Sequence, residues 1–241
     1  MVQTGHTQSS APQHFFAERG SPEETVMEDC PVVPTKPRER IIKTARDLFR
    51  KHGIRGIGVD AIAEAADTNK MTLYRHFGSK DDLVVACLRA VEGEVDAIWS
   101  RIEQTHSGDP LAQLHAWVRV GAECVGDDGR GCDMANVAVE LAESDHPARL
   151  VIEEFKTEQR DRLAKLCRDA GIAKADLLAD TLSLLLEGAR VSRQSVGIAG
   201  PCAHFISMAE AVIAAFARES RDQKRSRRPG RQALGNMSAP G

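Results

Sequence analysis

No stretch of this sequence approaches the ~18 uninterrupted apolar residues that a membrane-spanning helix requires, which argues against a membrane partner. The first residues lack the basic-then-apolar layout of a secretory signal, so a cytoplasmic protein is expected. Six cysteines (Cys30, Cys87, Cys124, Cys132, Cys167 and Cys202) are scattered without a single C-x-x-C pair. That spacing builds neither a zinc knuckle nor a disulfide frame, and most of these thiols should be buried as small hydrophobes. The sequence also lacks G-x-S-x-G, H-E-x-x-H and G-x-x-x-x-G-K-[ST], the motifs that would announce a hydrolase, a metalloprotease or a nucleotide-binding enzyme. No catalytic group, cofactor or metal site is expected. Tyrosine occurs once, at position 74.

What is present is helical periodicity and an uneven distribution of charge. Nothing alternates as a strand would, so an all-α fold is expected. The net charge of −3 conceals a division along the chain. Residues 36–80 hold 11 Lys and Arg against 5 Asp and Glu, whereas residues 81–220 hold 14 against 24. A cationic segment on an acidic body implies a polyanionic partner for one end only. Residues 1–35 and 220–241 are polar and poor in core formers, and read as a disordered extension and a basic disordered tail.

Within the cationic segment the pattern resolves into three short elements. A first helix is expected over 36–52, with Thr35 as its cap, Pro37 in its first turn and Gly53 closing it. A second should span 59–66. A third begins near Lys70, after a four-residue turn, and must end by Gly78. Two short helices joined by a tight turn behind a support helix form a helix-turn-helix. Ser79 then caps a long helix reaching about Gln104. Further helices are expected over 110–124, 134–143, 147–170, 174–196 and 201–218, and the last two carry apolar faces wide enough to imply a subunit interface.

The run Thr72-Leu73-Tyr74-Arg75-His76-Phe77-Gly78-Ser79-Lys80 resembles the T-L-Y-x-H-F-x-S-K signature of the tetracycline-repressor (TetR) family, and Asp60–Ala66 resembles the helix that precedes it there. The resemblance implies an N-terminal helix-turn-helix DNA-binding domain (36–96) and a C-terminal helical domain (97–219) for ligand sensing and dimerisation. It implies a homodimer, formed through the last two helices, that binds double-stranded operator DNA and is released by an unknown small-molecule effector. Repression is the expected outcome, with activation the alternative. Tyr74 and Lys80 match the family's phosphate contacts, Thr72 lies near backbone or bases, and Lys70, Met71, Arg75 and His76 face the groove. Arg55, Thr68 and Asn69 complete the expected DNA-binding set; Leu73 and Phe77 are anchors. His76 either touches DNA or packs at the helix end, and both readings stay open. Three departures stand out: Asp67 where Gly is usual, Thr68-Asn69 for the common Val-Ser, and Gly58 where a capping Ser or Thr is usual, which should cost a few tenths of a kcal/mol.

The same resemblance implies a ligand cavity in the acidic body. Trp99, Ile102, Trp117, Val120, Cys124, Met134 and Phe155 are its candidate lining, although each alone reads as ordinary core. His115, Asn136 and Glu140 are candidate polar handles. Two rivals remain: a helical enzyme, and a thiol sensor built from Cys124, Cys132 and Cys167 with His146.

Overall fold

The computed structural model of the protein describes residues 36–126, 130–141 and 145–226. Among them every regular element is a helix: α1 (Pro37–His52), α2 (Val59–Ala65), α3 (Lys70–Phe77), α4 (Lys80–Thr105), α5 (Pro110–Gly126), α6 (Asp133–Glu140), α7 (Pro147–Asp169), α8 (Ala175–Val196) and α9 (Phe205–Ser226), the last entered through a 3-10 turn, Pro201–His204. Apart from the end of α9, the expected boundaries fall within a few residues of these. Thr35 lies outside the described residues, as does the expected end of α6 beyond Leu141.

Local chemistry sets these boundaries. Pro37 occupies the first turn of α1, and Gly53 closes it at φ +75°. The turn between α2 and α3 places Asp67 at φ 49°, the left-handed conformation expected where Gly is usual. Gly58 gives α2 no side-chain cap. Asn69 caps α3 with its amide oxygen, which accepts from the Thr72 N–H at 2.8 Å. Ser79 caps α4 by accepting from the Asp82 N–H at 3.0 Å.

Three apolar clusters organise the chain. Ile41, Ile42 and Ala45 of α1 pack with Ile62, Ala63, Ala66, Leu73, Phe77, Leu83 and Cys87 into the core of the helix-turn-helix. Another core, around Leu114, Val118, Leu163, Leu178, Leu182 and Phe205, joins α5, α7, α8 and α9. The remaining cluster brings Ile54, Val84 and Leu88 against Met134, Val137, Val151, Ile152 and Phe155, and so ties the N-terminal helices to α6 and α7.

One expectation needs correction. The last helix runs to Ser226, eight residues past its expected end, so the first part of the presumed tail is helical. The buried Ser220 explains this: its hydroxyl accepts from the Ala173 N–H at 2.8 Å and donates to the Phe216 carbonyl at 2.7 Å. Glu219 adds an ion pair to Lys174 at 2.6 Å. Helix α4 runs unbroken across the expected 96/97 division, as the helix expected to reach about Gln104 does.

Candidate nucleic-acid interface

Helix α3 is anchored by Leu73 and Phe77, which are 0% and 7% exposed. Successive helical residues turn by about 100°, so these anchors leave Met71 and Arg75 on the opposite face. Both are exposed, as are Asn69, Lys70, Tyr74 and His76, while Thr68 and Thr72 are half-buried. The expected DNA-binding side chains of α3 therefore share an outward surface. His76 is exposed and its ring lies 6.1 Å from that of Phe77. Lys70 leans toward α2, where its ammonium donates to Asp60 at 3.0 Å, and this carboxylate raises the Lys70 pKa. Arg55 is exposed in the 53–58 loop, and its N–H donates to Glu140.

Lys80 is placed differently from a free phosphate contact. Its ammonium donates to the Ile54 carbonyl at 2.5 Å and the Ile57 carbonyl at 2.6 Å, fastening the loop to the start of α4. Two of its three donor directions are thereby used within the protein. From α1, Arg40 reaches the Ala66 carbonyl at 2.9 Å and holds the turn of the motif.

Sequence reasoning missed the role of α6. Asp133 accepts from Arg50 Nε at 2.5 Å and lies 3.4 Å from Arg46. At its other end, Glu140 accepts from the N–H groups of Ile54 at 2.8 Å and Arg55 at 2.7 Å. Glu140 was expected as a cavity handle; it accepts from the head loop instead, where the positive-φ turn at Gly53 brings the Ile54 and Arg55 N–H groups to its carboxylate. Asn136 donates to the Arg130 carbonyl and His115 faces Glu210 at 2.6 Å, so neither handle lines the cavity.

A cavity of about 280 Å3 lies between α4, α5, α7 and α8. Trp99, Trp117, Val120, Cys124 and Phe155 line it, together with the polar groups Lys156, Gln159, Glu187 and Arg190. Ile102 and Met134 do not. Ile102 is buried outside the lining, and Met134 packs in the cluster between head and body. Trp99 donates its indole N–H to Gln159 Oε1 at 2.6 Å. Lys156 bridges outward: it pairs with Glu187 and approaches the sulfur of Cys132, the N-cap residue of α6, at 3.6 Å.

The thiols of the rival sensor reading fall in different settings: Cys124 lines the cavity, Cys132 is the N-cap residue of α6 and Cys167 belongs to the core of α5, α7, α8 and α9. Cys167 is buried, and desolvation pushes its pKa up to about 12, away from thiolate chemistry. His146 caps α7, its Nδ1 accepting from the Ala148 N–H. Among the described residues no group of His, Cys, Asp and Glu could hold a metal ion, and no helix is long and apolar enough to cross a membrane.

A short helix presented outward behind a support helix, with Asn, Lys, Arg and the single Tyr on its open face, defines a DNA-binding regulator of the helix-turn-helix class. The comparisons agree. Residues 41–87 match the family described as bacterial regulatory proteins, tetR family. The transcriptional regulator AcuR of Cereibacter sphaeroides is 29% identical over 167 residues, covering 62% of this chain and 75% of the relative. The transcriptional repressor AcnR of Corynebacterium glutamicum is 36% identical over 56 residues, which cover 23% of this chain and 30% of the relative. Among solved structures, the TetR-family regulator SCO4454 from Streptomyces coelicolor superposes with a TM-score of 0.68 at 25% identity, covering 75% of this chain and 96% of that one. Residues 41–87 thus match the DNA-binding segment of the TetR family, and the chain shares its fold with a solved TetR-family transcriptional regulator.

Proposed function

We propose that this regulator is a homodimeric repressor whose two α3 helices read the half-sites of a double-stranded operator, and that a small apolar or amphipathic molecule in the α4–α5–α7–α8 cavity releases it. The proposed division of labour assigns DNA to residues 36–96 and ligand and partner to residues 97–219. One observation carries the reading: α6 touches both ends of the system. Its N-cap Cys132 meets the cavity residue Lys156, while its Asp133 and Glu140 hold Arg50 and the 53–58 loop. A molecule that displaces Lys156 or Glu187 thereby moves the support of the DNA-reading head. Coupling of this kind amounts to ~1–3 kcal/mol, set by the ligand's preference for one of the two states.

The dimer is supported by the unpartnered face of α8. Leu177, Leu184 and Val191 recur every seven residues and are 54%, 73% and 58% exposed. Ile206 and Met208 on α9 are exposed too. Two copies joined there would present their α3 helices one DNA turn apart, roughly 34–36 Å, or a multiple of that distance.

Both tryptophans of the chain line the cavity, so the test is optical as well as functional. Purified protein is titrated with a panel of amphipathic small molecules while tryptophan emission and operator affinity are followed together. Compounds that change emission should also weaken operator binding about 5–150-fold. Emission changes that never alter DNA affinity would remove the cavity from the mechanism.

A further inference from the structure

We propose that Met71 reads a thymine methyl group and Arg75 a guanine within two base-pair steps of it, so that each operator half-site carries this T and G together. The inference rests on the reading that α3 enters the major groove, and it names what the helix would meet there.

The argument starts from the face opposite the anchors. Leu73 and Phe77 point into the head core, and the residues diametrically across from them on an eight-residue helix are Met71 and Arg75. These stand four apart, one above the other on the same face. Their neighbours are committed elsewhere or set to the sides. Lys70 is tied back to Asp60, the Asn69 side-chain oxygen serves as the helix cap, and Thr72 is half-buried. The crest of the helix therefore consists of one apolar and one cationic side chain.

Met71 is 77% exposed and contributes nothing to the described core clusters. A single exposed hydrophobic residue is ordinary on a protein surface; its position on this crest is what gives Met71 a function. The apolar feature of the major groove is the C5-methyl of thymine, and the side chain that satisfies it is apolar. The unbranched thioether of Met adapts its shape to such a group. Arg75 presents the planar donor fork that matches the two acceptors of guanine, O6 and N7. Four residues of helix advance about 6 Å, and stacked base pairs are about 3.4 Å apart, so the two side chains reach bases no more than two steps apart.

The experiment selects duplexes from a random library with the full-length protein, then replaces each thymine of the selected site with deoxyuracil, which lacks only the methyl. The expected result is a T and a G within two steps in each half-site. A uracil in one half-site should weaken wild-type binding about fourfold, the effect of one methyl group, and a uracil in both about fifteenfold. Met71→Ala should bind the thymine and uracil duplexes equally, and Met71→Leu should keep the preference. Arg75→Ala should lose the guanine requirement while still distinguishing thymine from uracil. A selected site at which wild-type protein ignores uracil at every thymine overturns the assignment of Met71 and leaves α3 as the reading helix. Failure to enrich any sequence overturns the reading of α3 and this inference with it.

Discussion

At Lys80 the family-like signature and the tertiary structure ask for different things from one ammonium group. The signature assigns it to phosphate, whereas its donors here close the loop through Ile54 and Ile57. Both effects should appear when it is removed. Lys80→Ala leaves two part-buried carbonyls without a partner, which costs about 1–3 kcal/mol, and also weakens DNA binding equally for all sequences. Tyr74→Phe, by contrast, alters an exposed side chain and should weaken DNA binding with no change in melting temperature. Thermal denaturation beside a salt-dependent binding series separates the two; an unchanged melting temperature in Lys80→Ala would show that the loop clamp is dispensable. The thiols divide on similar grounds. Cys87 is buried against the head core, and desolvation pushes its pKa up to about 12, so it serves packing rather than nucleophilic chemistry.

Among the elements, α6 carries a role out of proportion to its eight residues. It begins beside the cavity and ends under the head, with a charged group at either end directed at the N-terminal helices. Asp133 is nearly enclosed, its side chain 10% exposed, and faces two arginines of α1 that are themselves half-buried. Glu140 receives the backbone N–H groups of Ile54 and Arg55. Glu140→Ala should therefore destabilise the protein by about 1–3 kcal/mol, and should also loosen the 53–58 loop. Hydrogen exchange at the Ile54 and Arg55 amides reads this directly. Protection unaltered by the substitution would mean that α6 does not hold the loop. None of this was legible in the sequence, where Glu140 is an ordinary acidic residue 86 positions from Ile54. Its meaning depends on a turn and a helix meeting after the chain has folded.

For the whole molecule, the apolar stripe of α8 raises the question of what covers it. Leu177, Leu184 and Val191 face water in a row, and the proposed dimer would cover them. In the proposed dimer, Leu184→Glu places a charge on the row and should yield a monomer by sedimentation. Operator binding should then collapse, because one α3 helix buries too little surface to hold DNA alone. A dimer that survives this change would move the interface elsewhere. The acidic body fits the same arrangement: with its charge opposed to DNA, contact is confined to the cationic head.

Read by itself, the amino-acid sequence determined the helical class, the cationic head, the caps at Asn69 and Ser79, the left-handed turn at Asp67, and the motif around Tyr74. All of these depend on residues within a few positions of one another, where periodicity, capping and backbone preference act directly. The wall of the cavity was half legible: both tryptophans, Val120, Cys124 and Phe155 line it, whereas Ile102 and Met134 belong to other packing. Only the tertiary structure decided that Lys80 clamps a loop, that Glu140 and Asp133 serve the head rather than the cavity, and that Ser220 carries the last helix to Ser226. Each of those depends on which face of one helix meets another. Crossing geometry between distant segments is set by the packing of the whole chain, and no local pattern encodes it.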